Sequence, residues 1–280
     1  MMNILLPTDF SDNSWNAINY ATDFLKNKAC NFYILNVNSL ENVFVGDYSY
    51  NPTPEILGEI NIEQSKPKLK ELIKRISQDI KPNKKHKFYS LSDYSYFLES
   101  IRKHVNEKNI DMIIMGTKGA SGLKKCIIGS NAGDVITKVK CTTLIVPENA
   151  KYSNLKEIAY PTDLTLTYPL NILEPFTDIL NSVNANLRIV HINDSNASLS
   201  PEQHSKKDLL NDYFEDFKPS FHFLTNKKVE NAIQCFVESR DIDMIAMVAK
   251  NLNYFQSILF HSKVEKITYH TRIPFLVLHE

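Results

Sequence analysis

At 280 residues the chain is longer than one small hydrophobic core organises, and it fits two domains of about 130 to 150 residues each. Apolar residues make up 43% and charged residues 23%, the balance of a folded chain, which excludes a disordered one. Lys plus Arg equals Asp plus Glu at 32 each, so no net positive field draws the chain to nucleic acid or to an anionic membrane surface.

The apolar stretch at Met1 to Pro7 lacks a basic leader and is shorter than a secretory core of roughly 7 to 15 residues, so no export signal is read there. Asn3 to Leu6 reads as a short buried strand, and Ser11 or Asp12 can cap a helix with Trp15, Ile18, Ala21, Phe24 and Leu25 on its inner face. Phe32 to Val37 is a second strand. The stretch from Asn38 to Pro67, rich in Asn, Tyr and Pro, is expected to be an exposed loop. Leu69, Leu72, Ile73 and Ile76 have helical spacing, Phe88 to Leu91 reads as a strand, and Phe97, Ile101, His104 and Val105 mark another helix. Met112 to Met115 and Leu144 to Val146 complete five strands. No apolar run approaches the roughly 20 residues of a membrane span. Cys30, Cys126, Cys141 and Cys235 form no CxxC pair and have no His at metal-ligand spacing, which points to a reducing cytoplasm rather than to zinc or disulfides.

The order then repeats. Pro7-Thr8-Asp9-Phe10 returns 154 residues on as Pro161-Thr162-Asp163-Leu164, and Ile110 to Met115 returns 132 residues on as Ile242 to Met247. The shorter second offset means that the first copy carries about 22 extra residues, assigned to the Asn38 to Pro67 stretch. Second-copy strands are expected near Ile158, Leu187 to Ile192, Phe221 to Leu224, Met244 to Met247 and Phe275 to Leu278. Near-continuous apolar strands between amphipathic helices imply, in each copy, a doubly wound α/β domain with a five-stranded parallel sheet covered on both faces. The expected boundaries are 1–150 and 151–280. In such sheets ligands bind beyond the carboxyl ends of the strands.

Five of the seven glycines fall between Gly116 and Gly133, directly after a strand and leading into a helix with Val135, Ile136 and Val139. Glycine reaches positive φ without steric cost and lets backbone N–H groups approach a ligand, and a following helix start favours an anion, here expected to be phosphate. The loop matches neither GxxxxGK[ST] nor GxGxxG. Its spacing is Gly116, two residues, Gly119, nine residues, then Gly129-Ser130.

With that spacing, with Pro7-Thr8-Asp9 after the first strand and Val37 ending the second, the chain resembles the ATP-binding branch of the universal stress protein family in a tandem form. The resemblance implies a Rossmann-like fold with two copies related by a pseudo-twofold axis. It places Pro7, Thr8, Asp9 and Val37 at base and ribose, Met115, Gly116, Lys118 and Gly119 at ribose and phosphates, and Gly129, Ser130 and Asn131 at the distal phosphates. It implies ATP or another adenine nucleotide, with Mg2+ held mainly by nucleotide and water, since no acidic cage is in view. It also implies pairing of copies through Leu144 to Val146 and Leu276 to Leu278, within one chain or in a homodimer. In the second copy Gly116, Gly119 and Gly129 become Val248, Asn251 and His261, and no glycine occurs from Asp134 onward. A β-branched Val resists positive φ, so one nucleotide per chain is expected.

No Ser/His/Asp or Cys/His constellation is readable, so the leading reading is a regulatory, stress-response nucleotide-binding module acting on a protein partner that the sequence does not identify. Two alternatives stay open. One is a slow ATPase using Asp9 and Lys118; the other is an adaptor without ligand. Cys126 inside the loop would make binding redox-sensitive if it were reactive, but Ile127-Ile128 beside it argue for burial.

Overall fold

The computed structural model describes residues 1–38, 54–117, 130–165, 168–193, 198–249 and 272–279. By contacts the chain forms two compact units, one holding Met1–Gly116 and Ser130–Cys141, the other holding Thr142–Glu280.

In the first unit β1 (Met2–Pro7) leads into α1 (Asp12–Phe24), β2 (Cys30–Asn38), α2 (Pro54–Asp79), β3 (His86–Tyr94), α3 (Phe97–Glu107), β4 (Met112–Thr117) and α4 (Ser130–Lys138). The strands run parallel in the order β3-β2-β1-β4. Ser11 caps α1 by accepting from the Ser14 amide, and Ala17, Ile18, Ala21 and Phe24 form the buried face. Trp15 is only half-buried and lies under the Arg75 guanidinium of α2, 3.9 Å from its ring centroid.

The expected loop over Asn38 to Pro67 is corrected in its second half. Residues 39–53 lie outside the described ones, but from Pro54 the chain is helical through Pro67 to Asp79. Proline forfeits one backbone hydrogen bond and crowds the preceding turn. Pro67 is exposed, while Leu69, Leu72 and Ile76 of the same helix are buried. Their burial against β2 and β3 outweighs the local defect, a tertiary effect that the proline signal does not carry.

In the second unit β5 (Thr143–Pro147), β6 (Glu157–Pro161), α5 (Glu174–Val183), β7 (Asn186–Asn193), α6 (Pro201–Tyr213), β8 (Ser220–Thr225), α7 (Val229–Ser239), β9 (Met244–Val248) and β10 (Phe275–Leu278) give the order β5-β10-β9-β6-β7-β8. All described pairs here are parallel except β5 with β10, where Leu144 faces Leu276 and Ile145 faces Phe275. The expected pairing of these two segments is thus found within one chain. It also means that β5, encoded at the end of the first copy, packs with the second unit.

The sequence repeats mark repeated hydrogen bonds. Asp111 Oδ2 accepts from the Asn3 amide at 2.7 Å, and Asp243 Oδ2, 132 residues on, accepts from Lys156 and Glu157 amides at 2.7 and 3.0 Å. Each aspartate pins the start of its copy's fourth strand to the start of its first. Asn109 and Asp241, at φ 46° and 49°, turn the chain into these strands.

One ion pair ties three strands of the second unit. Arg188 on β7 donates through Nε and Nη2 to Glu157 on β6 at 2.6 and 3.0 Å, and through Nη1 to Ser220 on β8 at 2.8 Å. The Arg188 hydrogen bond holds the Glu157 carboxyl below its ordinary pKa. Both side chains are 20–26% exposed, so solvent screening is partial. Glu157→Gln is expected to cost about 1 kcal/mol of stability at neutral pH. Because the folded pKa is depressed, the contribution is present above the unfolded value of about 4.3 and is lost as pH falls through the folded value. Urea unfolding at neutral and acid pH should therefore show a gap between wild type and variant that closes in acid.

Candidate functional site

The carboxyl ends of β1, β2 and β4 lie side by side, with Pro7 opposite Leu35 and Leu5 opposite Ile113. Beyond Pro7 the chain makes a tight turn held by hydrogen bonds to Thr8 and Asp9. The Thr8 amide donates to the Leu35 carbonyl at 2.8 Å, and Thr8 Oγ1 accepts from the Phe10 amide at 3.0 Å and meets Ser14 Oγ at 2.9 Å. Asp9 Oδ1 accepts from both the amide and the hydroxyl of Ser11, the α1 cap. Partial burial pushes the Asp9 pKa up, but the Ser11 and Ser14 hydrogen bonds outweigh it and leave the carboxylate below its ordinary value. Phe10 takes φ 64°, a left-handed turn that these bonds hold in place.

The second copy builds the same turn. Thr162 donates to Val190 O at 2.9 Å, Thr162 Oγ1 accepts from the Leu164 amide at 3.0 Å, Asp163 Oδ1 accepts from Thr165 N and Oγ1, and Leu164 takes φ 59°. Pro-Thr-Asp is therefore first a turn, and its recurrence in the copy without a glycine loop follows from that.

Asn36 was missed by the motif reading. It is buried between Leu35 and Val37, and its Nδ2 donates to the Thr8 carbonyl at 2.8 Å. Its Oδ1 is buried with no hydrogen-bond partner among the described residues. His191 does the matching work in the second copy, its Nδ1 lying 3.0 Å from Thr162 O. The available signal was a polar residue inside an otherwise apolar strand. On the opposite face of the sheet Asp93, in register with Val37, accepts from Ser100 Oγ at 2.9 Å and Lys103 Nζ at 3.3 Å, fastening α3 to the end of β3.

Of the predicted residues, Pro7, Thr8, Asp9, Val37, Met115 and Gly116 gather at these strand ends. Asp9 is exposed, Val37 and Gly116 are half-buried, and Met115 is buried. Ser130 and Asn131 open α4. Lys118, Gly119, Gly129 and Cys126, with the second-copy positions Asn251 and His261, lie outside the described residues.

Gly116 requires a correction of cause. It does not follow the strand but lies within β4, and its φ is not in the left-handed range. What demands glycine is proximity: a Cβ there would sit 2.4 Å from the Asn13 carbonyl oxygen and 2.8 Å from its carbon, at the first turn of α1. Among the described residues of the second copy, no helical structure stands at the matching place before Leu170. The positions 154 residues on from Ser14 and Trp15 are Tyr168 and Pro169; Pro169 is extended, and helical structure begins only at Leu170. Tyr168 instead hydrogen-bonds the hydroxyl of fully buried Tyr160, whose ring stacks on Phe176 at 5.9 Å. Val248 is accommodated there as a buried strand residue.

The sequence pattern of the universal stress protein family matches residues 1–147. The chain belongs to the universal stress protein family. A relative, universal stress protein MJ0531 of Methanocaldococcus jannaschii, is 27% identical over 153 residues, covering 53% of this chain and 83% of that protein. The crystal structure of a universal stress protein from Archaeoglobus fulgidus superposes with a TM-score of 0.69 at 19% identity, covering 98% of this chain and 97% of that one. The second likeness extends the fold over both copies. No helix among the described residues is long and apolar enough to cross a membrane.

As a seat for an adenine nucleotide the described residues are chemically suited. The half-buried Val37 offers an apolar wall, the Asp9 carboxylate an acceptor for ribose hydroxyls, and Gly116 a backbone without a side chain in the way. α4 begins at Ser130, and a helix start is a place that favours phosphate.

Proposed function

We propose that the first copy, 1–150, binds one adenine nucleotide, ATP with Mg2+ carried mainly by its phosphates, and that the second copy, 151–280, binds none. The observation that carries this reading is the convergence of Pro7, Thr8, Asp9, Val37, Met115 and Gly116 on adjoining strand ends, with Ser130 and Asn131 opening a helix. Lys118, Gly119 and Gly129 complete the phosphate side of the proposal. The chain then acts as a regulatory, stress-response protein of the cytoplasm whose interactions depend on nucleotide occupancy. Burial pushes the Cys30 and Cys141 thiols up to about 11 and about 12, which makes them poor nucleophiles.

Protein purified without added nucleotide and then denatured is expected to release adenine nucleotide, approaching one per chain. At about 100 times the dissociation constant, ATP with magnesium should add about 2.7 kcal/mol of stability, read as a rise in melting temperature. Absence of both the release and the shift would overturn the reading.

A further inference from the structure

A second concave site lies on the first unit, formed by α2 and β3. Along α2, Lys66, Leu69, Lys70 and Ile73 fall at helical spacing on one face, and on β3 the alternating residues Ser90 and Ser92 face the same side. Because β3 is the outermost strand of this unit, the helix covers it incompletely and leaves an open groove of about 480 Å3 lined by those six residues. That volume lies within the range of small-molecule sites, about 300 to 1,000 Å3.

The lining is chemically one-sided. Among the described residues it holds two ammonium groups, two hydroxyls, that of Ser92 also bonded to the Ser65 hydroxyl, and no carboxylate, over an apolar floor of buried Leu69 and half-buried Ile73. Lys66 is bonded to Glu63, which lies outside the lining, and Lys70 makes no ion pair among the described residues. Ammonium and hydroxyl donors side by side select an anionic oxygen, and Leu69 with Ile73 select a short hydrocarbon. We propose that this groove binds a small amphiphilic anion, an acidic oxygen headgroup on a short alkyl chain, independently of the nucleotide site.

The test uses the full chain and three probes that share an eight-carbon tail: octanoate, octyl phosphate and octyl glucoside. Calorimetric titration is expected to show saturable binding of one or both anions, weakened by salt, with the uncharged glucoside binding at least about tenfold more weakly. The preferred anion identifies the headgroup as carboxylate or phosphate. The double variant Lys66→Gln/Lys70→Gln alters two exposed side chains and should keep the wild-type circular dichroism while losing about tenfold in affinity. Ser90→Trp, also at an exposed position, should fill the groove and abolish binding. ATP should compete in none of these titrations. Absence of saturable anion binding at millimolar concentrations, equal binding of the glucoside, or unchanged affinity in the double lysine variant would each overturn the proposal.

Discussion

Gly116→Ala is expected to destabilise the nucleotide-free protein by about 2 to 3 kcal/mol, and Gly116→Val by more. The added Cβ would meet a carbonyl of the α1 backbone at 2.4 Å, so relief requires moving a helix end and not merely turning a side chain. The protein's single tryptophan, Trp15, lies in that helix, so chemical unfolding followed by its fluorescence reads the affected unit directly. Nucleotide affinity should fall as well, because the β4 end and the first turn of α1 separate. The reciprocal change separates packing from ligand binding: Val248→Gly removes a buried side chain and should cost stability without creating a nucleotide site. Should Gly116→Ala unfold like wild type, the close approach of β4 to α1 would not be the reason for the glycine.

Asp9→Ala and Asp163→Ala form a second, internally controlled pair. Each removes an acceptor from one amide and one hydroxyl two residues on, so each is expected to cost about 1 kcal/mol of folding stability. Only Asp9→Ala should also weaken ATP binding, by about tenfold or more, read by calorimetry. Asp9→Asn keeps an oxygen acceptor for the turn and removes the charge, so it should recover most of the stability and isolate any role of the carboxylate toward ligand. The depressed Asp9 pKa gives the linkage its sign. The charged form stabilises the turn above the unfolded value of about 3.9, and that contribution is lost as pH falls through the lower folded value. If Asp9→Ala binds ATP as wild type does, Asp9 is a turn residue alone.

By itself the sequence determined the duplicated α/β order, the ten strands and the recurrence of Pro-Thr-Asp after the first strand of each copy. These are legible because apolar period, capping residues and turn chemistry act between residues a few positions apart. The asymmetry at Gly116 and Val248 was legible too, but not its cause, which depends on Asn13 more than a hundred residues earlier in the chain and on Pro169 delaying the matching helix. Tertiary structure likewise decided that α2 runs through Pro67, that Asn36 and His191 secure the two turns, and that β5 groups with the second unit. Burial of distant apolar faces, and hydrogen bonds that buried polar groups must find, overrode or completed the local signals in each case.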